Sequence, residues 1–260
     1  TRPISSAFFG PQEGAALVNA LQRFLVEQTE KGIPAIVHEE ALSGLQMKGA
    51  TLFPQAIGQG SMWDPELVEK MGGAIRRQMR AVGVRQVLSP NVDVARDARW
   101  GRVEECYGED PYLTARLGVA FVQGLQGDDE KYLKVVATPK HYAVHSGPEA
   151  DRHHFDAAVS RRDLHETYLP AFKACVQEGK AGSIMSAYNR TNGEACCASN
   201  MLLHDVLRSQ WGFDGFVVSD CGAVQDMHQH HKITRSAAES AALAVKNGCD
   251  LNCGCIYAEL

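Results

Sequence analysis

The sequence predicts an α/β fold, a parallel (β/α)8-type TIM barrel that need not be complete at its chain ends. Three observations predict it. Short apolar runs alternate with longer stretches of helical periodicity, the order that builds parallel strands joined by helical crossovers. The runs are almost continuously apolar, as strands are when both faces of a sheet are covered. Polar and ionisable residues then gather just after at least five of the runs. An open sheet concentrates its site at one switch point, whereas a barrel brings every strand end to one rim.

Taken in order, a weak apolar run at 5–9 precedes a helix over 15–28. The run at 33–37 reads as a strand and ends in His38, Glu39 and Glu40. In the next helix, Pro65–Ala81, Leu67, Met71, Ile75 and Met79 recur every four residues and mark one face. The strand at 84–88 leads to Asp93, Asp97 and Arg102, and a helix over 111–125 follows. The strand at 134–138 ends in Lys140 and His141. A helix then opens at Asp163 as N-cap, carries Leu164, Tyr168 and Phe172, and stops at Gly179. The strand at 183–187 leads to Tyr188 and Asn189. Beyond a helix over 202–211, the strand at 216–218 ends in Ser219 and Asp220. A helix over 236–247 and a weak run at 249–252 complete the pattern. No linker rich in Pro, Gly or Ser divides residues 1–260, which read as a single domain.

Composition narrows the function. With 26 Lys and Arg against 31 Asp and Glu, the chain lacks the surplus of cations that a nucleic-acid clamp needs. A hydrophobic content of 45% with 22% charged residues argues against disorder. No run approaches the roughly 18 apolar residues of a membrane span, and no targeting peptide is visible from Thr1 onward. The glycine patterns of dinucleotide and P-loop sites are absent, so no cofactor is expected. The 8 cysteines do not read as a disulfide framework in so long a chain. Cys249, Cys253 and Cys255 lie near Asp250 and Asn252, but no second ligand cluster follows, so no metal is expected and buried apolar thiols are the default.

A rim built from these strand ends holds the carboxylates Glu40 and Asp220, the basic residues Arg102, Lys140 and His141, and the aromatics Trp100, Tyr107 and Tyr188. Small polyhydroxylated ligands match it. Carboxylates accept from pairs of hydroxyls, cations donate to the remaining oxygens, and an aromatic face covers the apolar side of a sugar ring.

The wording of the motifs is more specific. GFDGFVVSDCGAV at 212–224 resembles the stretch around the catalytic nucleophile of glycoside hydrolase family 3, and DARWGRVEECYGEDP at 97–111 is similar to another block of its N-terminal barrel domain. KHYAVHSGPEADRHH at 140–154, IMSAYNRTNG at 184–193, HEEALSG at 38–44 and LFPQAIG at 52–58 also match, in the family's order. The resemblance implies an exo-acting retaining β-glycosidase in which Asp220 forms a covalent glycosyl-enzyme. Neighbouring cations such as Lys140 should keep that carboxyl ionised. It assigns Arg102, Lys140 and His141 to the hydroxyls of the bound sugar, with Met185 and Tyr188 lining the same subsite. Glu40 stands where many β-glucosidases of the family carry Asp, and Cys221 where they carry Trp; both features resemble the β-xylosidase and arabinofuranosidase branch and imply a terminal nonreducing β-D-xylosyl or β-D-glucosyl residue as substrate, the xylosyl one preferred. The implied substrate is an oligosaccharide or aryl glycoside, and the family is often secreted or periplasmic.

A retaining glycosidase also needs a general acid. In the larger family members it comes from a domain after the barrel, so a downstream domain of the parent protein is an expected partner. Two alternatives stand beside this reading. Asp151-Arg152-His153 resembles the acid/base dyad of the family's barrel-only β-N-acetylglucosaminidases, and a barrel without its acid domain could bind sugar with no turnover. Asn189-Arg190-Thr191 also reads as a glycosylation sequon, which a position on a pocket-lining strand end disfavours.

Overall fold

The computed structural model describes residues 10–129 and 131–260. The weak run at 5–9 lies outside them. The first half of the chain forms α1 (Pro11–Gln28), β1 (His38–Glu39), α2 (Ala56–Gly60), α3 (Pro65–Ala81), β2 (Gln86–Val87), α4 (Pro111–Gln126) and β3 (Val136–Ala137). The second half adds β4 (Asp156–Ala157), α5 (Arg161–Asp163), α6 (Pro170–Gln177), β5 (Ser183–Ser186), β6 (Arg190–Thr191), β7 (Glu194–Ala195), β8 (Phe216–Ser219), α7 (Ala223–Gln229) and α8 (Ala237–Lys246). Wider π-helical turns occupy Leu164–Tyr168 and Met201–Gln210.

The α/β character and the parallel pairing are as read from the sequence, but the described hydrogen bonds do not close a ring of eight strands. β1, β2 and β3 pair in parallel, as do β5 and β8. Isolated parallel bridges, Tyr142 to Ser186 and Val218 to Leu251, extend these ladders into one arc. Among the described residues no bridge returns from Leu251 to β1. A cavity of about 370 Å³ sits there instead, lined by Ala35, Ile36, Leu88, Val218 and Leu251 among others. The strand expected at 33–37 accordingly shifts to β1, leaving Ile33 67% and Ile36 52% exposed. β4, β6 and β7 make a small separate sheet whose last pair is antiparallel.

Helix starts follow local chemistry. Asp64 and Asp110 each cap a helix whose first residue is proline, accepting from Leu67 N at 3.0 Å and from Leu113 N at 2.6 Å. Ser236 caps α8 in the same way. The helix expected to open at Asp163 is instead capped by Ser160, whose Oγ accepts from Asp163 N at 3.0 Å. On α3 the buried stripe is Val68, Met71, Ile75 and Met79, and Leu67 faces outward. This face meets α4, where a Cβ on Gly124 would lie 2.3 Å from the Glu69 carbonyl, so glycine permits the approach of the two helices.

Candidate active site

Asp220 directly follows β8, and its backbone N–H donates to Ser186 O at 3.0 Å. Cys221, the next residue, forms a disulfide with Cys253. Around that link, Gly222 N donates to Cys253 O, while Cys253 N and Asn252 Nδ2 both donate to Ser219 Oγ. The turn that carries Asp220 is thus tied to the segment after Leu251. This disulfide is absent from the sequence reading, because only the fold brings together cysteines separated by 32 positions.

The Asp220 side chain is 9% exposed. Its Oδ1 accepts from Cys221 N at 2.7 Å, whereas Oδ2 is buried with no hydrogen-bond partner among the described residues. Arg102 Nη1 lies 3.7 Å and His141 Nε2 3.5 Å from that oxygen. The cations were expected to keep Asp220 readily ionised. Burial outweighs them: desolvation raises the carboxyl above its ordinary value although Arg102, Lys140 and the Cys221 N–H pull it down.

Each neighbouring group is fixed by a carboxylate. Glu105 takes Arg102 in two bonds, at 2.9 Å to Nε and 2.8 Å to Nη2. Lys140 is almost wholly buried and donates to Glu40 Oε2 at 2.8 Å, with Glu40 reaching solvent. His141 Nδ1 lies 2.8 Å from Asp93 Oδ2, and its backbone N–H donates to the same oxygen at 3.1 Å. Burial, reinforced by Arg102, His145 and Lys140, holds His141 well below the usual imidazole range. Burial also pushes the Asp93 carboxyl up to about 8. The Gly101 backbone donates to Glu149 Oε2 at 3.0 Å, and a Cβ at Gly101 would lie 2.6 Å from Glu149 Cδ, so a larger residue there would displace that side chain.

Tyr188 donates its hydroxyl to Cys221 O at 3.0 Å, and burial with the nearby Asp220 charge pushes its phenol up. His153 packs edge-on against the Tyr188 ring, 4.7 Å between centroids. Its carboxylate partner is Asp226, 2.7 Å from Nδ1, and not the Asp151 of the alternative dyad, whose main-chain carbonyl takes the N–H groups of His154 and Phe155. His145 stands behind Tyr188, bonded through Nδ1 to Asn189 Oδ1 at 3.1 Å and pushed down to about 3 by burial. Asn189 is itself fully buried, so the sequon is closed to modification.

The structure therefore brings Asp220, Glu40, Arg102, Lys140, His141 and Tyr188 together. Met185 is buried in a small cluster with Leu88, Val218 and Cys253. Tyr107 turns into the main core, and Asp97 pairs with the exposed Arg99 away from the site. Asp93 was legible as a strand-end acid without a role. Glu105, His145 and Asp226 went unrecognised, because their partners lie on other elements or on the next turn. Among the described residues no group of His, Cys, Asp and Glu side chains is arranged to hold a metal ion, and no helix is long and apolar enough to cross a membrane.

Comparison with known proteins matches residues 5–258 to the glycosyl hydrolase family 3 N-terminal domain. The chain belongs to glycoside hydrolase family 3. Among curated family members, it is 44% identical to a xylan 1,4-beta-xylosidase of Xylanibacter ruminicola over 84% of this chain and 28% of that protein. It is 41% identical to beta-D-xylosidase 1 of Arabidopsis thaliana, over 79% and 28% respectively. Among solved structures, a β-glucosidase of Erythrobacter marinus superposes with a TM-score of 0.92 at 35% identity, covering 96% of this chain and 34% of that one. A family 3 exo-beta-xylosidase in complex with a xylobiose aziridine probe superposes with a TM-score of 0.83 at 29% identity, covering 98% and 37%. The chain thus spans about a third of the length of the relatives it matches.

Proposed function

We propose that this chain is the nucleophile-bearing part of a retaining exo-β-glycosidase that removes terminal nonreducing β-D-xylosyl residues in preference to glucosyl ones. The observation that carries the reading is Asp220 Oδ2, a buried carboxylate oxygen without a hydrogen-bond partner among the described residues, set between Arg102 and His141. In the reaction this oxygen attacks the anomeric carbon as the bond to the leaving oxygen breaks. A general acid about 5–5.5 Å away protonates the leaving group, and water then releases the sugar. Arg102, Lys140 and His141 hold the hydroxyls, and Tyr188 lines the subsite, whereas Met185, buried with Leu88, Val218 and Cys253, packs beneath it.

Support for the pentose preference comes from Glu40, whose carboxylate reaches one methylene further than an aspartate and is held by Lys140 at 2.8 Å, and from the curated relatives named as xylosidases. We assign the general acid to a domain following Leu260 in the parent protein, and closure of the strand arc into a barrel to the complete protein. The Cys221–Cys253 disulfide favours an oxidising compartment, secreted or periplasmic.

The test uses a C2-fluorinated β-xyloside with a dinitrophenyl leaving group, which departs without protonation. Incubation with the chain and peptide mass spectrometry should find the sugar on the peptide containing Asp220. Binding without labelling would replace this reading by the sugar-binding one. A faster reaction with the matching glucoside would reject the pentose preference.

A further inference from the structure

The Asp93 carboxylate stands behind His141, and one of its oxygens meets that residue twice. Asp93 Oδ2 accepts the backbone N–H of His141 at 3.1 Å and lies 2.8 Å from the ring Nδ1. Both side chains are buried, at 3% and 0% exposure, so no water competes for these contacts. Asp93 is held in turn by its own N–H, which donates to Asn91 Oδ1 at 2.9 Å. An oxygen that already accepts a main-chain proton is placed to accept a second one, which puts the ring proton on Nδ1. The other ring nitrogen, Nε2, is buried and lies 3.5 Å from Asp220 Oδ2, and among the described residues neither atom has a hydrogen-bond partner.

Resting on the glycosidase reading above, we infer that Asp93 is a positioning residue that fixes His141 in its Nδ1–H tautomer, so that Nε2 meets the sugar as an acceptor. A hydroxyl of the bound sugar then donates to Nε2 while its oxygen remains open to the cations beside it. The nucleophile is affected as well. In the opposite tautomer an Nε2–H would point at Asp220 Oδ2 and draw electron density from the attacking oxygen. With the proton on Nδ1, that oxygen keeps its lone pairs. The raised Asp93 carboxyl is compatible with this role, since its own proton can sit on Oδ1 and leave Oδ2 as a carbonyl acceptor. The cations near His141 also disfavour a second proton on the ring.

The tautomer can be read without any substrate. In a long-range proton–nitrogen correlation spectrum of the isotopically labelled chain, the 10 histidines give separate patterns, and the His141 pattern is the one lost in His141→Gln. The expected pattern is a protonated Nδ1 and a bare Nε2. Asp93→Asn should preserve it, because the amide oxygen still accepts, and should label with the fluoroxyloside at nearly the parent rate. Asp93→Leu should move the proton to Nε2 and slow labelling roughly tenfold, the equivalent of one hydrogen bond. An Nε2–H in the parent, or an unchanged tautomer in Asp93→Leu, overturns the inference. If Asp93→Leu does not fold, the spectrum of the parent still decides. Failure of the parent to label would count against the glycosidase reading alone and leave the tautomer measurement standing.

Discussion

Two histidine–carboxylate pairs stand near Asp220, and their histidines differ chiefly in access to water. His141 and Asp93 are sealed off, at 0% and 3% side-chain exposure. His153 and Asp226 make a contact of similar length, 2.7 Å, but the His153 ring is 43% exposed. The same pair of side chains can therefore do different work. In the sealed pair, burial shifts both groups and favours neutral forms, so the pair can present a defined donor or acceptor. In the rim pair Asp226 is buried too, at 6% exposure, but the histidine remains in contact with solvent and reaches Asp220 only indirectly, through the Tyr188 ring and its bond to Cys221. Burial, more than residue identity, separates a group that shapes the site from one that borders it.

The largest effect should come from the carboxylate that the sealed pair adjoins and the rim pair only borders. Asp220→Asn should abolish labelling by the fluoroxyloside while sugar binding, followed by calorimetry, survives. The comparison would break if that variant still labelled. Next in size is the link behind both pairs: Cys221→Ser should lower stability by about 2–4 kcal/mol in a urea titration, since it frees a loop closed over 32 positions.

The sealed pair follows. Leaving the buried His141 backbone N–H without its acceptor and ring Nδ1 without its partner in Asp93→Leu should cost about 1–3 kcal/mol in the same titration. Its pH dependence has a definite sign. Burial raises the Asp93 carboxyl in the folded state, so unfolding releases a proton above pH 3.8, and stability falls as pH climbs from there to about 8. In Asp93→Asn that part of the fall disappears, which melting curves across this range should reveal as a flatter profile. The smallest effect belongs to the rim: His153→Ala should change stability by under about 1 kcal/mol and labelling less than Asp93→Leu does. A larger loss at His153 than at Asp93 would reverse the comparison.

Much of the site was legible because its members follow strands. Glu40, Lys140, His141, Tyr188 and Asp220 all come just after or at the end of an apolar run, so the position of the runs placed them. What escaped notice were side chains that act on other side chains. Glu105 touches Arg102 one turn of chain away, but nothing in the local wording marks its two-bond grip. Asp226 belongs to α7, and only the fold brings it to His153. The apolar run at 33–37 misled for a physical reason: apolar content marks surface to be covered, and here part of that surface lines the open gap beside Leu251. Spacing likewise put Leu67 on the α3 stripe, although Val68 is the residue turned toward the core.

The bond between Cys221 and Cys253 begins one residue from the Asp220 carboxylate and ends near the last turn of the chain. How the protein is produced therefore bears directly on its chemistry. Material made in a thiol-rich cytosol would carry two sulfhydryls at this point and a slacker turn around Asp220, whereas export through an oxidising environment would deliver the turn already locked. Counting alkylatable sulfurs before an assay is a simple way to know which of these two forms is in the tube.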